Sequence, residues 1–563
     1  MFRSHYVALP DSERVPLRGA RALGPPDPNE NLTVSVYLRR DPGAPAPIDV
    51  NALGLTPPTH RRPADDAQIL ADNQAAGADL AAVEKFAAQH GLRTVATNEA
   101  ARCVQLSGTA AKLADAFQVT LSRYQYQTPD GRRRSYIGRE HAVNVPEELS
   151  GIVTAVLGLD NRPLGANLLR RTPARTEPPP MAKAQPQIPA GTFLPNRLGD
   201  LYAFPQQTDG TGQCIAVLAF NGMTQPGTPS GGYKLGALTT YFENVLGQST
   251  PSITDVVVHG PGNDCGRDDR QADPQDTTGE IMLDLQVIGA LAPKANIVVY
   301  FTVFTEQGWV DAMNAIVTDT TNKPNVVSCS YGNPEDSPGS AWTAAGISQV
   351  DQAFATAAAR NITICCASGD DGSQDQGTGI RAHADFPASS PHVLGVGGTT
   401  LVAAAAPGNT ITSETVWDDG PGSATGGGVS RLFPVPPWQD NAHVPLSANP
   451  PHSAGRGVPD VSALADPQTG VNIISVDGQH LIPIGGTSAA APQWSALIAR
   501  VNQGLGAPVG YLNPLLYTKL SSDLRDITQG SNGAYAAGPG WDACSGFGSP
   551  NGQALLNDLK AMA

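Results

Sequence analysis

From Gln213 to Ala367 the sequence alternates strand-like and helix-like segments, and that alternation leaves few folds open. Cys214–Phe220, Ser252–Val258, Ala295–Phe301, Asn325–Ser330 and Ile362–Ala367 are short apolar runs of strand length. Between them Tyr233–Leu246, Gly279–Leu291, Trp309–Val317 and Gln349–Arg360 carry apolar residues at helical spacing. Strands that are apolar on both faces must be covered on both faces. The pattern therefore predicts an α/β fold, a doubly wound parallel sheet between two helical layers. Active sites in such sheets gather at the carboxyl ends of the strands, so the loops after Phe220, Ser330 and Ala367 matter most.

The N-terminal part is different. Asn31–Leu38 reads as a strand, Asp79–Leu92 as a helix, and Arg93–Thr97 and Cys103–Leu106 as strands. Thr109–Phe117 reads as a second helix and Thr120–Gln127 as a strand ending at the Pro129-Asp130-Gly131 turn. That order is the ferredoxin-like split βαβ of an α+β domain. Glu147–Leu159 is expected to add a further helix, and residues 1–30 to form a loose leader. Residues 170–195, with Arg170-Arg171 and the run Pro178-Pro179-Pro180, lack periodicity and read as an exposed, cleavable linker. The expected division is leader 1–30, small domain 31–169, linker 170–195 and large domain 196–563.

Charge follows the same division. Residues 1–190 hold 22 Lys and Arg against 19 Asp and Glu, and the remainder holds 14 against 32. A body so poor in cations is a poor ligand for nucleic acid. Nothing approaches the roughly eighteen apolar residues that a membrane-spanning helix requires. Met1 to Gly24 has scattered charges and no apolar core, so no ordinary export signal is expected there. The seven cysteines are scattered, odd in number and free of CxxC pairs, which argues against a disulfide framework or zinc knuckle and for buried apolar roles. Only 15% of the residues are charged, so few carboxylates become unbalanced in acid.

Three stretches hold groups suited to chemistry. In Gly485-Gly486-Thr487-Ser488-Ala489-Ala490-Ala491-Pro492, a hydroxyl pair follows two glycines at the opening of a helix. Unpaired N–H groups and the positive dipole end surround Ser488 there, and small neighbours admit another backbone. A plain helix cap has the same composition. In Gly279–Leu285, Glu280 and Asp284 stand four apart on a helix otherwise apolar. Two carboxylates on one buried helical face share protons and titrate together, a mark of functional sites. In Ala367-Ser368-Gly369-Asp370-Asp371-Gly372 an acid follows an apolar strand, and chemistry alone does not choose between Asp370 and Asp371. A histidine base is weakly supported: none of His259, His383, His392, His443, His452 and His480 has the sequence context of a subtilisin-type triad.

These motifs, with TGGGVSRLFPVPPWQ at 425–439 and AGPGWDACSGFGSPNG at 537–552, resemble in order and spacing those of the sedolisin (serine-carboxyl) peptidases, specifically the kumamolisin-like members. The resemblance runs from about residue 30 to 557. It implies a subtilisin-like fold, an N-terminal prodomain acting as inhibitor and chaperone, and cleavage of proteins and peptides in acid. It makes Ser488 the nucleophile, Glu280 its general base, Asp284 the residue orienting Glu280, and Asp370 the acid of the oxyanion hole. A carboxylate base works near its own pKa, and Asp370 donates to an oxyanion only while protonated, so activity is expected at roughly pH 3–5.

Two departures from the family pattern stand out. The chain has Ser328-Cys329-Ser330-Tyr331-Gly332 where Ser-x-Ser-Trp-Gly is frequent, and Leu218-Ala219-Phe220 where some members carry an additional carboxylate. Ser330 and Gly332 are expected to hydrogen-bond an extended substrate, and Asp385 to select basic side chains near the cut. By the same resemblance Asp526, Asp542 and the carbonyls of Ile527, Gly538 and Gly540 form a structural calcium site, an all-oxygen set that suits Ca2+. Asp273–Glu280 has EF-hand-like composition with the wrong oxygen spacing and is rejected. The expected protein is a secreted monomer that contacts protein and peptide substrates and its own prodomain, with no nucleic-acid or membrane partner. A histidine-dependent subtilase and a catalytically silent binding or inhibitory module are the alternatives.

Overall fold

A computed structural model describes residues 5–127, 133–164, 166–171, 188–221, 231–265, 277–336, 342–376, 381–406 and 408–562. Asp273, Asp276, the Pro129-Asp130-Gly131 turn and residues 172–187 of the linker lie outside them.

The N-terminal unit contains β1 (Asn31–Leu38), α1 (Gly77–Gln89), β2 (Arg93–Asn98), β3 (Cys103–Thr109), α2 (Ala110–Ala116), β4 (Leu121–Gln127), β5 (Arg133–Arg139) and β6 (Val153–Leu157). One antiparallel sheet has the order β2-β3-β1-β6, which is the ferredoxin-like order. Its fourth strand is not the expected one. Glu147–Leu149 is a single 3-10 turn, and the stretch expected to continue as a helix forms β6 beside β1. The β-branched residues Val153, Thr154 and Val156 favour a strand, and the free edge of β1 supplies its partner. β4 and β5 instead make a hairpin outside this sheet. Residues 5–30 are not a loose leader either. Tyr6–Ala8 pairs with Asn144–Pro146, Arg21–Gly24 pairs with β4, and buried Arg14 bonds Glu306 at 2.7 Å.

After this unit come two short strands, β7 (Ala166–Asn167) and β8 (Arg170–Arg171). The large domain follows with β9 (Cys214–Asn221), β10 (Ile253–Val257), α3 (Thr277–Leu291), β11 (Asn296–Val303), α4 (Glu306–Val317), β12 (Val326–Cys329), β13 (Tyr331–Pro334), α5 (Ala344–Ala359) and β14 (Thr363–Ala367). It continues with β15 (Asp385–Phe386), β16 (Leu394–Ala403), β17 (Ile411–Val416), β18 (Val461–Leu464), β19 (Val471–Ile474), β20 (Leu481–Gly485) and α6 (Thr487–Leu505). The eight-stranded main sheet runs β10-β11-β9-β12-β14-β16-β17, with β18 also on β16. Every pair is parallel except β16 with β17.

Alternation along β9 shows how the sheet is covered. Ile215, Val217 and Ala219 face the layer holding α3 and α6, while Ala216, Leu218 and Phe220 face Trp309 of α4 and Phe354 of α5. Period two sends neighbours to opposite faces, so a strand buried on both sides reads as one apolar run. The next two strands, β10 and β11, lie on one side of β9, and the chain then crosses to β12 on the other. The reversal opens a crevice at the carboxyl ends of these strands.

Candidate active site

Helix α3 is buried along its whole length, including Glu280 and Asp284 at 0% exposure. It packs on α6, whose first turn holds Thr487 and Ser488. Asp284 Oδ1 accepts a 2.7 Å bond from the Ser330 hydroxyl, and burial raises the Asp284 carboxyl to about 8. Ser330 opposes that rise by stabilising the charged form. The Ser488 hydroxyl donates to the backbone carbonyl of Ser330 at 3.1 Å. The loops after β12 and β14 thus meet the start of α6 above α3, and Ser330, Asp370, Glu280, Asp284 and Ser488 come together from four parts of the chain.

Asp370 is fully buried and points at the turn before Ser488. Its Oδ1 accepts from the Thr487 N–H and the Thr487 hydroxyl, both at 2.7 Å. Its Oδ2 lies 2.5 Å from where a Cβ on Gly486 would stand, and the Leu168 carbonyl oxygen lies 2.0 Å from the same point. Any side chain at 486 would therefore fill the space that Asp370 Oδ2 and this carbonyl share, and the φ of +95° at Gly486 also suits only glycine. Burial raises Asp370 to about 6; Arg170 and the two Thr487 bonds oppose the rise. Asp371, its rival in the sequence, faces Arg170 instead.

Leu168 belongs to the stretch joining the two domains, and it crosses this crevice. β7 pairs antiparallel with β13, Ala166 opposite Gly332. β8 pairs antiparallel with β20, Arg170 opposite Gly485. Between them the Leu168 N–H donates to the Ser330 carbonyl at 3.2 Å, and the Ser488 N–H donates to the Leu168 carbonyl at 3.0 Å. The Leu168 side chain is buried against Ala367 and Ala491. An extended chain whose carbonyl accepts from the N–H of a helix-opening serine has the pose of an acyl group awaiting attack.

The remaining sequence candidates fall in three places. Gly332 pairs with the threaded segment, as expected of an edge that holds substrate. Asp385 is fully buried, and its Oδ1 occupies the position of a Cβ on Gly332. Its carboxyl interacts with that of buried Asp375, and no described donor hydrogen-bonds either one. Two buried acids without a cation must share a proton, so burial and mutual repulsion keep the pair protonated well above the usual range. Hydrogen bonds of His259, His383 and His392 go to Asp311, Asp336 and Asp351, not to Ser488.

The five calcium candidates lie in two C-terminal segments, 526–527 and 538–542, that hydrogen bonds tie together. Asp526 Oδ2 accepts from the Gly540 N–H at 2.9 Å, and Asp542 accepts from the N–H groups of Gly538, Cys544 and Ser545. The Ser545 hydroxyl donates to Asp542 Oδ1 at 3.1 Å and lies 3.5 Å from the Ile527 carbonyl oxygen. Burial raises the Asp542 carboxyl from its ordinary value despite those donors, and no described cation pairs with it. Two carboxylates in the same stretch as the carbonyls of Ile527, Gly538 and Gly540 have the donor chemistry that a hard divalent ion takes.

Residues 18–162 match the family model described as the pro-kumamolisin activation domain, and residues 271–518 match the subtilase family. The chain is 42% identical over 550 residues to kumamolisin from Bacillus sp. (strain MN-32), covering 96% of this chain and 94% of that protein. The chain belongs to the kumamolisin-like serine-carboxyl peptidases. Kumamolisin-like similarity extends to tripeptidyl-peptidase sed5 of Aspergillus fumigatus, 25% identical over 96% of this chain and 95% of that protein. Human tripeptidyl-peptidase 1 is 32% identical over 50% of this chain and 51% of its own length. Among solved structures, Pseudomonas sedolisin, a serine-carboxyl proteinase complexed with pseudo-iodotyrostatin, aligns with a TM-score of 0.55 at 26% identity, over 66% of this chain and 98% of that one. The kumamolisin-like chain is accordingly a serine-type peptidase of subtilisin-like fold, made as a zymogen with an N-terminal prodomain.

Sequence reasoning missed Thr487, Leu168 and Arg170. Thr487 stands in the same motif as Ser488 and is a hydroxyl beside a glycine pair. Leu168 and Arg170 meet partners that lie more than 150 residues away, which no local pattern reveals.

Proposed function

We propose that this kumamolisin-like precursor is an acid-acting endopeptidase in which Ser488 is the nucleophile, Glu280 the general base, Asp284 the residue that orients Glu280, and Asp370 the oxyanion acid. The seating of Leu168 carries the reading, with its N–H on the Ser330 carbonyl and its own carbonyl on the Ser488 N–H. In the first step the Ser488 hydroxyl leaves the Ser330 carbonyl, gives its proton to Glu280 and attacks the substrate carbonyl carbon. The resulting oxyanion accepts from the Ser488 N–H and from protonated Asp370. Since Thr487 donates twice to Oδ1, the proton sits on Oδ2, the oxygen facing the carbonyl. Glu280 then passes its proton to the leaving amine, and water releases the acyl group from Ser488.

Acid conditions follow from these roles. Asp370 donates only below its titration near 6, and Asp284, raised to about 8, is then protonated. Ser330 and Gly332 bind the substrate backbone, and the one negative charge that Asp385 shares with Asp375 beneath Gly332 biases that side of the cleft toward basic residues. Asp526, Ile527, Gly538, Gly540 and Asp542 would hold Ca2+, which would stabilise the two C-terminal segments and take no part in the chemistry. The mature enzyme acts outside the cell as a monomer, on proteins and peptides.

The seating of Leu168 supports a first maturation cut at the bond between Leu168 and Leu169, just before the linker expected from the sequence. Purified precursor held at pH 4 should yield a new chain beginning at Leu169, read by N-terminal sequencing, while Ser488→Ala stays full length. Precursor that stays intact for hours at pH 4 with Ser488 present would overturn the reading, as would maturation of Ser488→Ala at the same rate in isolation.

A further inference from the structure

Arg170 stands two residues after Leu168, and the catalytic domain grips its side chain. Nη2 donates to Asp371 Oδ2 at 3.0 Å, Nε to the Gly422 carbonyl at 3.3 Å, and Nη1 to the carbonyl of Leu169 at 3.3 Å. Nη1 also lies 3.6 Å from Asp370 Oδ2. The groups that receive it are held by the catalytic domain itself. Asp371 bridges Ala424, the Ala424 N–H donates to the Asp370 carbonyl at 3.0 Å, and the Gly372 N–H donates to the Ala424 carbonyl at 3.0 Å. The loop that presents Gly422 is therefore fastened to the loop that presents Asp371 by bonds that do not involve the threaded segment.

We propose that Asp371, together with the Gly422 carbonyl, is a specificity-determining site that selects a guanidinium side chain at the second position after the cleaved bond. The proposal deepens the function given above and rests on its register, with Leu168 as the acyl residue. The chemistry favours arginine over other cations. A guanidinium directs Nη2 at a carboxylate and Nε at a carbonyl in one plane, whereas an ammonium offers one point of charge. A neutral side chain leaves Asp371 to water, and an acidic one meets Asp370 and Asp371 together.

The same contact has a second consequence. Asp370 Oδ2 must carry a proton for catalysis, and a cation 3.6 Å away opposes that proton. The ionisable groups around Asp370 are Arg170 from the linker, Asp371 on its own loop, and Asp375 and Asp385 behind it, while Glu280 faces Arg170 from α3. Of these, Arg170 alone is a cation. An arginine at this position thus binds well but is cut only at lower pH than a neutral residue. The linker carries the residue that holds it in the cleft and delays its own cleavage until acid arrives.

The test uses mature enzyme released from the full chain and peptides of one sequence, Ala-Asn-Leu-Leu-Xaa-Ala flanked by solubilising residues, with Xaa as arginine, citrulline or lysine. Citrulline keeps the shape of arginine and removes its charge. Cleavage sites are read by mass spectrometry, and kcat and KM are measured across pH 3–7. KM for the arginine peptide should be roughly tenfold below that for citrulline, with lysine between, and its alkaline limb in kcat should lie at lower pH. Asp371→Asn should bring the KM values of the arginine and citrulline peptides within about twofold of each other. Equal constants for arginine and citrulline peptides cut between the two leucines would overturn the subsite and leave the register standing. A preference that survives in Asp371→Asn would also overturn it. Cleavage at another bond would overturn the register, and the subsite with it. The peptide comparison needs only wild-type enzyme, so a variant that fails to fold does not protect the proposal.

Discussion

Thr487 donates twice to a single oxygen of Asp370, from its N–H and from its hydroxyl, each at 2.7 Å. The other oxygen is left facing the carbonyl of Leu168, and this asymmetry decides where a proton on Asp370 resides. It also makes asparagine a close mimic of the protonated acid, with its carbonyl toward Thr487 and its NH2 toward the oxyanion.

Asp370→Asn is accordingly expected to keep a measurable fraction of activity and to lose one limb of its pH dependence. Asp370 is raised to about 6 in the precursor, so in wild type the donor is present below that value and lost as pH rises through it. In the variant the donor is permanent. The alkaline limb of kcat on a neutral peptide should move upward by at least roughly one pH unit; an unmoved limb would remove Asp370 from the oxyanion role.

Ser488→Ala and Glu280→Gln are each expected to lower kcat/KM by roughly 10³-fold or more at pH 4, with KM little changed. Combining them should cost little beyond the worse single change, because nucleophile and base act as a unit. Near-additive losses in the double variant would argue that Glu280 serves some other purpose.

The buried pair Asp375 and Asp385 gives a stability prediction with a definite sign. Its folded-state titration is raised, so its favourable state is complete in acid and lost as pH rises through the raised value. Asp375→Asn keeps a hydrogen bond to Asp385 without needing a proton. In the Ser488→Ala precursor, Tm of the variant relative to its parent should rise by a few °C between pH 4 and pH 8. A difference independent of pH would mean the two carboxyls do not share a proton.

Asp311 of α4 collects much of the polar contact with the prodomain sheet, accepting from Ser35 at 2.7 Å, Tyr37 at 2.5 Å and Gln105 at 3.1 Å, beside His259 at 2.6 Å. Asp311→Asn removes the charge and turns one acceptor into a donor facing donors. Separately made prodomain should bind the mature variant about 10- to 100-fold more weakly at pH 7, measured as an inhibition constant.

Calcium removal is expected to lower Tm by several °C without altering kcat at low temperature, and Asp542→Asn to abolish the response to added Ca2+. Indifference of Tm to chelator in wild-type protein would leave the two C-terminal segments as ordinary loops.

Much of the large domain was legible because its signals are local. Apolar strands separated by helices of regular spacing predict the parallel sheet, and each strand and helix expected from 214 to 367 lies within a few residues of its place. The paired acids of α3 stood out because their neighbours leave them no solvated face. Residues 150–159 misled because a short apolar run has no period of its own, and the open edge of β1 decided the matter. Residues 5–30 misled because their order comes from partners near residues 125, 145 and 306. The occupant of the crevice was hidden for the same reason: β7 and β8 are two residues each and carry no pattern.

Those two short strands bear on what the mature enzyme can digest. While the linker is present, the edges at Gly332 and Gly485 are both satisfied by one straight run of backbone. Once it departs, both edges seek the same thing, and only a chain pulled out of its own helix or sheet for about half a dozen residues can offer it. Compact proteins therefore resist until they have partly melted. With Asp370 in the proposed role, the acid that supplies its proton would also loosen the substrate, and chains already partly unfolded are expected to be cut first.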